Sequence, residues 1–183
     1  MLALLRGPLA LWATLLPAAL AAEPLCDATP ARVAAALSGD WVATVSHGLV
    51  QQGEVQLPVP DAPTEPVHLA LDASGAGVFT VKSVDVPITL APSTSGETAA
   101  PPGYDRRQIA RALAENLHSG PCPLAAMPRL SGTKTVESGA VNRIAFTALS
   151  ETRIVGVQNV TVPQGSGPPL EISTVLDLTR VQD

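Results

Sequence analysis

Aromatic rings, cysteines, histidines and lysines are all scarce in this chain of 183 residues, and each shortage excludes something. Aromatic residues make up 3% of it: Trp12, Trp41, Phe79, Phe146 and Tyr104. A core must therefore be built from Val, Leu, Ile and Ala. His47, His68 and His118 are the only histidines, with no two at metal-ligand spacing and none in a His-Glu-x-x-His pattern. They read as solvated surface residues. Ser93, Ser95 and Ser166 lie in loops, and Gly165-Ser166-Gly167 lacks the spacing of a nucleophile elbow. Neither a phosphate loop nor a dinucleotide fingerprint is present. Nothing here calls for a cofactor, and the sequence reads as non-enzymatic. Basic residues number 11 against 16 acidic ones, a formal net charge of −5. That balance argues against nucleic acid or an anionic membrane as the main partner, since both need a basic surface.

The longest apolar stretch is also too short to cross a bilayer, which takes about 20 apolar residues. It runs from Leu9 to Leu20, broken by Thr14 and Pro17, behind a start carrying Arg6. Ala19-Leu20-Ala21, with Ala22 next, supplies the small residues of a cleavage site. Residues 1–22 are therefore expected to be a signal peptide and residues 23–183 a single β-rich domain. The expected location is periplasmic or secreted, without membrane insertion after cleavage.

Cys26 and Cys122 are the only cysteines. In an oxidising compartment such a pair predicts a disulfide. Two cysteines alone do not complete a tetrahedral metal site. Glu23-Pro24-Leu25 ahead of Cys26 lacks the small residue that lipidation wants before its cysteine.

What is present is mostly β pattern. Thr29-Pro30 opens a short helix, with Thr29 as N-cap, and Gly39 can end it. From Trp41 the period changes to two, as in a strand. Further strands are expected over Glu54–Val59, Val67–Leu71, Val78–Lys82, Val84–Leu90, Thr133–Glu137, Asn142–Ser150, Arg153–Val162 and Leu170–Val181. Asp72-Ala73-Ser74-Gly75 reads as a tight turn, and Ala91–Gly103 as a mobile loop. Asp105–His118 carries Ile109, Leu113 and Leu117 at helical spacing, so one mid-chain helix is expected. The predicted fold is mainly β: an antiparallel up-and-down barrel of about eight to nine strands with two helices. A β-sandwich is the alternative.

A short helix followed by Gly39-Asp40-Trp41 at the head of the first strand resembles the start of lipocalin-like (calycin) barrels. In that family a basic residue near the end of the last strand packs over the Trp. Arg180 matches that position, and it shares the parity of Ile172, Thr174, Leu176 and Leu178. The resemblance implies that Gly39, Trp41 and Arg180 are structural and that a small apolar ligand binds. Trp41 as the core anchor of some other β-barrel is the competing reading. The mid-chain helix also falls before several strands, whereas the family's helix precedes only a final one.

Arg106, Arg107 and Arg111 put three basic residues on one helix, with Arg107 and Arg111 one turn apart. They form either a face for an acidic ligand or partner, or a solvated surface. Asn159-Val160-Thr161 fits a glycosylation acceptor pattern. Two functions are carried forward. One is an exported β-barrel binding a small apolar ligand; the other is a β-sandwich accessory protein that docks an envelope protein. A third, an extracytoplasmic hydrolase, has the least behind it. A closed apolar cavity would favour the first, and a solid core with an exposed apolar patch the second.

Overall fold

A computed structural model describes residues 24–59, 64–83, 87–94, 111, 114, 115, 117 and 122–181. The signal-peptide expectation lies outside them. The chain enters through helix α1 (Pro30–Leu37), whose N-cap Thr29 accepts a hydrogen bond from the Arg32 amide. Val33, Ala34 and Leu37 form its buried side. The helix stops at Ser38, and Gly39 then takes φ +133°, outside the reach of ordinary side chains. One residue thus turns the chain from helix into strand.

Nine strands follow among the described residues: β1 (Gly39–Gln52), β2 (Val55–Pro58), β3 (Glu65–Leu71), β4 (Gly77–Val81), β5 (Ile88–Pro92), β6 (Arg129–Thr135), β7 (Val141–Ser150), β8 (Arg153–Gln164) and β9 (Gly167–Arg180). Every pairing is antiparallel, in the order β2-β1-β3-β4-β5-β6-β7-β8-β9. A further pairing joins β1 to β9, from Trp41↔Arg180 to Gln52↔Leu170. Eight strands therefore close into a barrel, and β2 stands outside the ring. Closure removes the sandwich alternative, because the first and last long strands are one continuous ladder.

The ring is not equally tall all round. β3 ends its pairing with β1 at Glu65↔Ala43. Beyond a bulge between Val45 and His47, β1 continues with β9 on one side and β2 on the other. Strands β6 to β9, β1 and β2 thus rise past the ring as an open wall.

Inside the ring, alternate residues pack: Trp41, Leu69, Phe79, Phe146, Ile154 and Leu178 are all buried. The rings of Phe79 and Phe146 meet at 5.1 Å between centroids, tilted by 59°. Leu25 and α1 lie over this end and share the cluster. Two of the three described aromatic residues thus fill the barrel centre, and Trp41 plugs its end.

Several expected boundaries move. The first strand runs to Gln52, because the bulge absorbs the change of parity at His47-Gly48. Ala91 and Pro92 are strand rather than loop, paired with Ser131 and Leu130, and the Ser93 amide donates to the Arg129 carbonyl at 2.9 Å. The rest of the expected loop, from residue 95, lies outside the described residues. Of the expected helix Asp105–His118, Arg111, Ala114, Glu115 and Leu117 are helical, and the remainder lies outside the description.

Candidate functional site

Two places bring together chemistry-bearing residues: the closed end, where α1 covers the ring, and the open wall opposite. At the closed end the Trp41 indole donates to the Leu37 carbonyl at 2.9 Å and is 0% exposed. The Arg180 guanidinium lies over the indole, 5.5 Å from its centroid. Its Nη2 donates to the Ser38 carbonyl at 2.8 Å, and Nη1 donates to the carbonyls of Ala36 and Glu151. The carbonyls of Ala36 and Ser38 are orphans that the helix leaves at its C-terminus, where a cation is also favoured by the dipole, and that of Glu151 belongs to the turn between β7 and β8. A Cβ on Gly39 would stand 3.1 Å from Arg180 Nη2. The structure therefore brings Gly39, Trp41 and Arg180 together as one latch, as their parity predicted. A cleft of about 410 Å³ between Arg32, Ala36, Glu151 and Thr152 reaches the edge of Arg180. Both terminal nitrogens there are already engaged by backbone carbonyls.

Cys26 and Cys122 are bonded, with Cα atoms 5.6 Å apart and 96 residues of separation. The bridge ends any role for Cys26 as a lipid anchor. It belongs to a second cluster, on the outer face of β7, β8 and β9 alongside the ring, with Met127, Leu149, Val155, Val157 and Val175. Leu49 and Leu117 pack against it. Sequence reading missed this cover. Its only signal was that both parities of β8 are apolar between Ile154 and Val157, as expected of a strand buried on two faces.

Arg106 and Arg107 lie outside the described residues, and Arg111 is exposed. Asn159 is 3% exposed and accepts a hydrogen bond from Ser173, a poor place for a glycan. His47 and His68 face out, as expected, and His118 lies outside the description. His68 is not solitary: its Nδ1 is 2.6 Å from Asp40 Oδ1, and Lys82 Nζ is 3.1 Å from the same oxygen. Those two hydrogen bonds, the one with His68 first, hold the Asp40 carboxyl below its ordinary range. Asp40 and His68 are directly opposite on β1 and β3, a juxtaposition that only the strand register reveals. Among the described residues no group of three or more His, Cys, Asp or Glu could hold a metal. No described helix is long and apolar enough to cross a membrane.

The open wall keeps the barrel's polarity but leaves part of its apolar inner face exposed. On its outer face one row across the strands reads Thr161, Glu171, Gln51 and Gln56. On its inner face, one step further from the ring, Val162, Leu170, Gln52 and Val55 are aligned. Leu57 and Val55 are 58% and 61% exposed. Sequence reading saw β2 only as a weak strand, because the apolar face becomes visible once β2 is placed beside β1. Its free edge is blunted. The Val59 amide donates to the Gly48 carbonyl at 2.9 Å, so the position of Pro58, which lacks a donor, faces away from β1.

No known protein family matches the chain, and neither a curated protein nor a solved structure is similar to it.

Proposed function

We propose that this is an exported, non-enzymatic barrel of lipocalin-like type that holds a small apolar ligand against the inner face of its open wall. The observation that carries the reading is that face: Val55, Leu57, Leu170 and Val162 continue the apolar parity of the barrel interior into a region where no described strand stands opposite. Exposed apolar surface of this kind marks a binding site rather than a fold requirement. The helix-Gly39-Trp41 start and the Arg180 latch support the lipocalin-like part of the reading. The disulfide supports the exported part.

Packing inside the ring shifts the expected place of the ligand. Phe79 and Phe146 occupy the ring's centre, so the ligand sits above the ring and not within it. The same packed core supports the second reading, an accessory protein whose open wall docks an envelope protein. Native mass spectrometry of protein purified from its own host separates the two. A small-molecule adduct, lost when Leu57 is changed to Ser, is the expected result. Co-purification of a stoichiometric protein, with the chain itself unliganded, would replace the first reading with the second.

A further inference from the structure

Resting on that reading of the open wall, we infer that its ligand is a single-chain amphiphile with an anionic head, and that Lys134 takes the head. Lys134, Asn142, Val160, Ile172, Val50 and Leu57 are directly aligned across β6, β7, β8, β9, β1 and β2. All six share the inner parity set by Leu130, Phe146, Ile154 and Leu178 deeper in the ring. The row is therefore polar at one end and apolar at the other. A step nearer the ring the polar end is reinforced: Gln158 Nε2 donates to Asn142 Oδ1 at 3.2 Å, and Thr174 is cross-strand from Gln158.

Charge singles out Lys134. The chain has two lysines and an acidic excess. Lys82 is paired with Asp40, whereas Lys134 forms no ion pair with a described residue. The inner-face positions of this row and its two neighbours hold neither Asp nor Glu. A half-buried lysine directly opposite Asn142, on a face without carboxylates and in a chain of net negative charge, suits one carboxylate or sulfate and repels a cation. Shape selects a slender tail. The wall continues the inner, concave side of a barrel, which a flat bilayer or a second identical wall does not fill. Six strands about 4.8 Å apart give the row a span of roughly 24 Å, enough for a medium or long acyl chain lying across the strands.

The test uses the full chain and three probes below their micellar concentrations: decanoate, decanol and decyltrimethylammonium. Calorimetry should show decanoate binding about ten-fold tighter than decanol, and the cation weakest. Lys134→Gln should bring decanoate to the level of decanol and leave decanol unchanged, while Lys134→Arg keeps the preference. Leu57→Ser should weaken all probes that bind. Equal affinities for decanoate and decanol, unmoved by Lys134→Gln, would overturn the anionic head and leave the apolar-ligand reading standing. Failure of all three probes would sink that reading itself. Binding to vesicles containing an anionic lipid, without binding of decanoate monomer, would also overturn the inference in favour of a membrane surface.

Discussion

Strands β8 and β9 are each two different objects along their length. In the half nearer α1, Ile154 to Val157 on β8 and Ser173 to Leu176 on β9 are buried without a break. Apolar side chains there meet the ring core on one face and the disulfide-bound cover on the other. In the half beyond the ring, Val160, Val162, Leu170 and Ile172 keep the same alternation, yet none of them is fully buried. Backbone pairing runs through both halves without a register shift from Arg153↔Thr179 to Val162↔Leu170. The difference lies in what faces the sheet. Burial at the closed half stabilises the fold, whereas apolar surface at the open half contributes little until something covers it. Stability and binding are therefore expected to be separable by position along the same strands.

The strongest challenge to this division is to remove the cover's bridge. Changing Cys26 and Cys122 to Ser releases a cross-link 96 residues long and should lower stability by about 4–5 kcal/mol in the chain-entropy account. Urea unfolding would show it. A loss under about 1 kcal/mol would mean that the cover holds without its bridge.

Next is the latch. Trp41→Ala should cost about 3–5 kcal/mol, as a large-to-small change in a packed site. Arg180→Ala should cost less, roughly 1–3 kcal/mol, from lost cation–π contact and unpaired carbonyls. Combined, the two should cost less than their sum by about 0.5 kcal/mol or more. Strict additivity would show that the guanidinium serves α1 alone and not the indole.

At the open half the same kind of change should do almost nothing to stability. Leu57→Ser and Val55→Ser are expected to stay within about 0.5 kcal/mol of the parent in unfolding, as surface substitutions do. Affinity for apolar probes should nonetheless fall. A large stability loss would show that this face is already covered in the native protein.

The smallest effect concerns the exposed Asp40 cluster. Asp40 should titrate below an ordinary carboxyl when followed by NMR, and His68→Ala should raise it towards the usual value. Because the folded value is lowered, the linked stabilisation is present above the unfolded carboxylate range and is lost as pH falls through the folded value. Being fully solvated, the cluster should leave the melting temperature nearly unchanged over that fall.

Much of the closed half was legible in the sequence. Thr29-Pro30, Gly39 and the alternation around Trp41 are local signals, and local signals survive without tertiary knowledge. Arg180 was readable because parity along one strand fixes which face a residue takes. The disulfide followed from having just two cysteines. The open half was far less legible. Whether Leu57 is core or surface depends on whether a strand stands opposite, and β3 stopping at Glu65 is a fact about another segment. Lys134 looked like any strand lysine until the register aligned it with Ile172 and Leu57. The His68–Asp40 contact likewise depends on two strands 28 residues apart in sequence. Pattern gives a face its polarity; only the register says what it meets.

The ladder between β1 and β9 has a consequence for the time course of folding. Arg180 closes its latch on Ala36 across 144 residues of chain. Hairpins such as β7 to β8 and β8 to β9 join neighbours and need little loop closure, so they can form early. Sealing the ring needs the first and last strands at once, and non-local pairing of this kind is slow. Until β9 arrives, β1 offers an open edge and the Trp41 plug has no lid. The molecule thus passes through a horseshoe before it becomes a barrel. Its vulnerability to aggregation is concentrated in that interval.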